Sequence, residues 1–248
     1  MSIWVRDIRA VSLSSRAALR RTHPPDAVPL AIHAALESRG APPSRGAFLA
    51  SWQREESRRL EARWSDLTEE PLESVLARSF PDQANGIQGV LTAAAESLAA
   101  SIEWRPDALS ALDYLHESGY RVALVDDSSF PLGTSWEQRI SPWIDVVIST
   151  RETRHAAPHP AVFQELLTRL SLLPKHVLHV GDQLVPDVFG ANGVGLRTAL
   201  LERVPRDPPD PRSVDWLRRV HNLLPDDIHP DVKLRTLEEI PAVLEEFG

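Results

Sequence analysis

Residues Val177 to Leu201, VLHVGDQLVPDVFGANGVGLRTALL, decide the fold. The run Val177 to Val180 is short, apolar and partly β-branched, as a buried parallel strand requires. It ends in Gly181-Asp182, a second carboxylate follows at Asp187, and small residues then open a helix reaching Gly193. Two carboxylates are thereby delivered to the carboxyl end of a strand, where open α/β sheets place their chemistry. Taken alone, the stretch reads as an acidic site for a metal.

Working outward, the flanking sequence alternates between strand and helix patterns. Pro106 to Ser118 reads as a helix stopped by Gly119, and Tyr120 to Val125 as a strand running into Asp126-Asp127-Ser128-Ser129. A short helix near Trp136 to Ile140, a strand at Ile144 to Ile148 and a helix from Pro160 to Leu172 follow. Gly195 to Leu201 is a further strand, Pro205 to Pro211 a Pro/Asp-rich loop, and Leu237 to Phe247 a final helix. Such alternation predicts a parallel, doubly wound sheet. Toward the N-terminus, Ile8 to Leu13 reads as a first strand ended by Ser14-Ser15. Between about residues 25 and 103 no strand is evident. Four helical patterns occupy that region: Ala27 to Glu37, Ser44 to Trp64, Pro71 to Phe80 and Gly86 to Ile102. They predict an inserted helical domain.

Composition narrows the function classes. A formal charge of -8 gives nonspecific nucleic-acid binding no electrostatic support. The absence of cysteine excludes disulfides, thiolate catalysis and cysteine-based zinc sites. No apolar stretch approaches the ~20 residues that span a bilayer, and the N-terminal segment lacks the apolar core of a signal peptide.

The segments Trp104 to Leu109 and Leu115 to Tyr120, the strand Trp143 to Thr150, Pro158-His159-Pro160-Ala161-Val162-Phe163, Gly181-Asp182 with Asp187, and His229 to Pro241 occur in an order that resembles the haloacid dehalogenase-like (HAD) superfamily. The resembling subclass carries a helical cap after the first strand, and the likeness covers nearly the whole chain. It implies a Rossmann-like core and a phosphatase or dehalogenase chemistry with four parts. A first-strand Asp attacks, and an Asp two residues later acts as general acid/base. A Ser or Thr after the second strand and a Lys hold the transferred phosphoryl group, and acidic residues of the fourth motif complete a magnesium site with the nucleophile.

Against that pattern this chain departs at three of the four parts. Ser14 stands at the nucleophile position and Arg16 at the acid/base position, with Ala17-Ala18-Leu19 after it. Asp126 stands where Ser or Thr is implied, and Ala157 where the Lys is implied. Asp182 and Asp187 alone keep the pattern. The losses share one electrostatic consequence, because a phosphoryl site surrounds a dianion with cations and donors. Two like charges about 4 Å apart repel by ~4 kcal/mol at an effective dielectric of about 20, so Asp126 opposes phosphate. Arg16 is expected to project toward Asp182, Asp187 and Asp126 and to neutralise them in place of magnesium.

Other residues have plainer readings. Asp182 and Asp187 are expected to survive as caps of the loop and of the following helix, and Asp126-Asp127 as an acidic turn, with a new catalytic pair as the sharper alternative. His155 is the local candidate base for Ser14, more simply a chance neighbour, and His179 a core residue. Arg54, Arg58, Arg59 and Arg63, alternating with Glu55, Glu56 and Glu61, read as a solvated helix face. Trp52 and Trp64 are expected inside the cap, and Trp4, Trp104, Trp136 and Trp143 in the core or at the domain junction.

The expectation is an α/β protein with a Rossmann-like doubly wound parallel sheet core, residues 1–20 and 105–248, and an inserted four-helix cap, residues 21–104. Its expected role is that of a pseudoenzyme acting by protein or ligand binding, with a regulatory role as one form of it, since abandoning the pocket leaves the outer surface under constraint. The alternative is a HAD-like hydrolase, phosphatase or dehalogenase, with a rewired acidic site. A standard phosphatase on another register would need Asp7 as nucleophile, but Asp7 precedes the apolar run. No cofactor is expected, with magnesium only if Asp182 and Asp187 still bind it. A protein partner, no nucleic acid, no membrane and a cytoplasmic location complete the expectation.

Overall fold

Strand β1 (Ala10–Ser14) lies at the centre of the sheet and is buried along its whole length. The computed structural model describes residues 8–21, 24, 26–40, 43–81, 85–131, 133–202 and 210–245; Trp4, Asp7 and most of the Pro/Asp-rich loop lie outside them. The remaining strands are β2 (Leu19–Arg21), β3 (Ile102–Trp104), β4 (Arg121–Asp126), β5 (Val146–Ser149), β6 (Val177–Gly181), β7 (Arg197–Leu201) and β8 (Val232–Leu234). Six of them form one sheet in the order β5-β4-β1-β6-β7-β8, and every pairing is parallel.

Both faces of this sheet are covered, which is why its strands are apolar on both sides. Val11, Leu13, Val122 and Leu124 pack toward the helices Pro106–Glu117 and Ile240–Glu245. Ala10, Ala123 and Val125 pack toward the helix Pro160–Leu170 through Val162, Phe163 and Leu166. The chain leaves β1 for β4 and β5 on one side, then returns to β6 on the other. The order therefore reverses beside β1, and the crevice outside β1 and β6 is the place where such sheets bind ligands.

Between β2 and β3 stand four helices, Ala27–Glu37, Arg45–Asp66, Leu72–Ser79 and Ile87–Ala99. They share an apolar centre built from Ile32, Leu36, Phe48, Leu76, Val90 and Leu91, with Trp52 stacked on Phe48. The two antiparallel strands β2 and β3 form a ribbon at their base. That ribbon was not expected, since two three-residue strands are too short to show a period. The sequence reading also missed β8 and the helix Pro211–His221. Trp104 packs on Trp136 and Trp143, with ring centroids 5.7 and 6.3 Å apart, as a junction cluster. Among the described residues no helix is long and apolar enough to cross a membrane.

Candidate functional site

Parallel register sets the site. Ser14 pairs with Val125 of β4, and Leu13 with Val180 of β6, so Ser14 stands level with Gly181. Asp126 and Asp182 follow one residue later on either side. The expected residues therefore do converge at one edge of the sheet, although each finds its own partner.

The fourth-motif loop is built around Asp187. The loop turns through Leu184–Phe189 in a wide π-helical turn, in which Val188 N–H donates to Gln183 C=O at 3.3 Å. This replaces the expected ordinary helix starting at Asp187, with the Asp187 N–H donating to the same carbonyl at 3.2 Å, and single π turns recur at functional sites. Asp187 Oδ2 accepts from the Gln183 N–H at 2.8 Å, so it holds the start of this turn from within. Gly181 is required for that seat, because a Cβ there would stand 2.1 Å from Asp187 Cγ. Beneath it, His179 Nε2 is 3.6 Å from Asp187 Oδ1, and His179 Nδ1 shares a 2.8 Å hydrogen bond with the Ser12 hydroxyl. His179 is thus a core residue, as expected.

Arg16 meets only one of the three carboxylates expected for it. Its Nε lies 3.8 Å from Asp182 Oδ1. With the Gln183 amide oxygen turned toward the guanidinium, Arg16 Nε and Nη2 donate to it at 3.0 and 3.3 Å. Asp182 Oδ1 is buried and, among the described residues, accepts no hydrogen bond. Burial and the nearby Asp187 raise its pKa, against the opposing Arg16 and Arg105 guanidinium groups.

Asp126 is neutralised elsewhere. Its Oδ1 accepts from the Ser15 hydroxyl at 3.0 Å, and its Oδ2 from Arg151 Nη1 at 3.1 Å. Arg151 Nη1 also donates to the carbonyls of Ser128 and Phe130, at 2.8 and 3.2 Å. The Asp126 side chain is 1% exposed, so the carboxylate serves a buried ion pair rather than the open crevice. Asp127 points the other way. It accepts from Arg63 of the cap and, at 3.4 Å, from the Ala157 N–H. The two carboxylates thus answer to different partners, Asp126 to Arg151 and Asp127 to Arg63.

Arg63 corrects the reading of its helix. Arg59 and Arg63 are only 5% and 9% exposed. Both donate to Glu69, at 2.6 and 2.7 Å, and Arg59 also bonds Ser129 and Glu56. Arg58 stays on the exposed side with Glu55 and Glu70. The charged run is thus split between a solvated face and a buried cap–core contact. His155 stacks on His159 with centroids 3.8 Å apart, and pairs across a β-bridge with Thr68 of the cap.

Burial pushes the Asp127 carboxyl up to about 6, despite Arg63, with Glu69 and Asp187 adding to the rise. A folded-state pKa above the unfolded value means that the folded protein holds this proton more tightly. Stability from this group is therefore greatest below pH 4 and is lost as pH rises to about 6. Asp127→Asn is expected to gain stability relative to the parent chain across that window, in urea unfolding at stepped pH. Parallel curves for the two proteins would refute the assignment.

The magnesium implied by the family resemblance can be tested against these donors. Magnesium takes about six oxygen ligands in near-octahedral geometry. Here Asp182 offers one oxygen that faces a guanidinium, Asp187 is committed to Gln183 N–H, and Ser14 supplies a hydroxyl in place of a carboxylate. Among the described residues no three His, Asp or Glu side chains are grouped so as to hold a metal ion. The residues do not fit a resident magnesium.

The chain shares 31% identity over 99 residues with a ribulose-1,5-bisphosphate 5-phosphatase of Halopiger xanaduensis, covering 39% of this chain and 41% of that one. It thus spans less than half the length of such a relative. The fold superposes on a HAD phosphatase from Thermococcus onnurineus with a TM-score of 0.60 and 20% identity, over 96% and 98% of the two chains. It superposes likewise on the putative HAD-hydrolase YfnB of Bacillus subtilis bound to magnesium, with a TM-score of 0.56 and 18% identity over 96% and 98%. At these identities the likeness is one of fold. The model of the haloacid dehalogenase-like hydrolases matches residues 20–195, beginning after Ser14 and Arg16 and ending before Pro211–His221. That match covers well over half of the chain, which therefore belongs to the haloacid dehalogenase-like hydrolase family.

Proposed function

We propose that this member of the family binds rather than hydrolyses, acting in the cytoplasm through a protein partner or a ligand at the crevice between cap and core. The observation that carries the reading is the end of β1. Ser14 supplies no carboxylate there, and the Arg16 guanidinium faces Asp182 at 3.8 Å. An arginine keeps its charge at every physiological pH, so it cannot take up and return a proton as the implied general acid/base would. Asp126 is paired with Arg151, and Ala157 offers no ammonium group to a phosphoryl oxygen. The net charge of -8 supports a protein or small-molecule partner over nucleic acid.

A second reading is a hydrolase with a rewired acidic site. The family match and the ribulose-1,5-bisphosphate 5-phosphatase relative favour it, and Gly181-Asp182 with Asp187 keeps the family pattern. On this reading the substrate is a phosphate ester or a haloacid, and Asp182 is required.

One assay separates the two. A panel of phosphate monoesters and haloacids, with and without magnesium, is expected to give no turnover above an Asp182→Ala control. Reproducible turnover that Asp182→Ala abolishes would establish the hydrolase instead. Calorimetry adds a reading independent of turnover. The parent chain should take up no magnesium in the millimolar range, whereas Ser14→Asp/Arg16→Asp should gain a site by placing carboxylates beside Asp182.

A further inference from the structure

The cap is fastened to the core along one flank by contacts of three kinds. Trp64 and Leu67, at the end of the helix Arg45–Asp66, are buried in a cluster with Val185, Val188, Trp216 and Leu217. The Trp64 and Trp216 rings lie 6.2 Å apart, and Trp64 Nε1 donates to Asp210 Oδ2 at 3.2 Å. Arg219 Nη2 in turn donates to the Trp64 carbonyl at 3.1 Å. Beside them the backbones are joined: Glu69 N–H donates to Arg154 C=O at 2.9 Å, and Ala156 N–H to Leu67 C=O at 2.8 Å. Arg63 with Asp127 is the third contact. Phe130, from the loop after β4, fills the cap's apolar centre at another point.

The helix Pro211–His221 is the element that closes this flank. It lies beyond the residues matched by the family, and it turns Trp216 and Leu217 inward, with the His221 ring packed on Trp216 at 4.9 Å, while Asp215 and Arg218 face outward. Its N-cap, Asp210, accepts from both Arg212 N–H and the Trp64 indole, so one carboxylate starts the helix and grips the cap. An opening rotation about the β2–β3 ribbon would have to pull Trp64 and Leu67 out of their cluster and break both backbone bonds together.

We propose that the helix Pro211–His221 is a brace that holds the cap closed, so that the crevice containing Ser14 and Asp182 opens only when Trp64 is released from Trp216. The brace acts whether or not the crevice performs chemistry. Any ligand entering the crevice, or any partner loosening the brace, then shifts the same equilibrium, and does so only by its differential affinity for the open state.

The chain has no cysteine, so introduced thiols label cleanly. Spin labels at Gln53→Cys on the exposed cap face and Gln164→Cys on the exposed core face report opening. The parent background should give one narrow distance distribution, and Trp216→Ala should add a second, longer population. Arg219→Ala, at an exposed position, serves where Trp216→Ala fails to fold. Amide exchange supplies the companion readout. Glu69 and Ala156 amides should exchange within about tenfold of the β1 amides in the parent, and at least tenfold faster in Arg219→Ala with β1 unchanged. A broad or bimodal distribution in the parent, or unchanged exchange in Arg219→Ala, would overturn the proposal.

Discussion

Replacing Arg63 by alanine is expected to destabilise the protein by about 3–5 kcal/mol, the usual cost of removing one partner from a buried ion pair. Arg63 sits between the buried Glu69 carboxylate and the part-buried Asp127 carboxylate, donating to Glu69 Oε2 at 2.7 Å and to Asp127. Without it Asp127 keeps the 3.4 Å contact from Ala157 N–H, and Glu69 keeps Arg59. Neither contact replaces a guanidinium fork. At about 2–4 °C per kcal/mol for a chain of this size, Tm should fall by roughly 10 °C. Arg58→Ala is the internal control. Arg58 lies on the same helix, but its pairs with Glu55 and Glu70 are at the surface, where such pairs contribute about 0–1 kcal/mol. Calorimetric melting of the two variants side by side checks this. Equal Tm values for both would mean that the Arg63 pairing carries no net stability.

The second large effect is expected at Gly181. An alanine Cβ there would stand 2.1 to 2.2 Å from Asp187 Cγ, Cβ and Oδ2, far inside contact distance. Asp187 has to move, and its 2.8 Å bond to Gln183 N–H goes with it. Overpacking costs about 1–3 kcal/mol, and a lost hydrogen bond to a charged group about 1.5–3 kcal/mol. Together Gly181→Ala should lose about 3 kcal/mol or more. Combining it with Asp187→Gly, which removes the Cβ as well as the carboxylate, relieves the clash, so the double variant should be clearly less destabilised than the sum of the two singles. Additive effects in urea titrations would show that the clash is relieved elsewhere. Gly46→Ala is the matching control, since its added Cβ meets nothing within 4 Å in the exposed first turn of its helix.

These two positions also mark how much was legible in the chain. Gly181 stands out from its neighbours alone: a glycine ending an apolar strand before Asp182 and Asp187 announces a tight loop. Arg63 does not. In the helix Arg45–Asp66, Arg58, Arg59 and Arg63 are chemically alike, and no local pattern tells which faces water. Their fates depend on Glu69, after the helix turns at Leu67, and on Asp127 more than fifty residues later. Trp64 is similar. Its place on an amphipathic helix points to the cap interior, yet its partner is Trp216 of a helix that the Pro/Asp-rich stretch before it obscured.

What the sequence by itself determined is the parallel α/β core, the helical insertion after the first strand, and the identity of Ser14, Arg16, Asp126, Ala157, Asp182 and Asp187 at the sheet's edge. The core and the insertion follow from local periodicity, the six residues from the resemblance to the family, and strand ends are brought together once parallel pairing is granted. Tertiary structure alone decided which cation answers which carboxylate: Arg16 for Asp182, Arg151 for Asp126 and Arg63 for Asp127. Charge pairing depends on distances of a few ångströms between side chains far apart in the chain, and residue type carries no record of them.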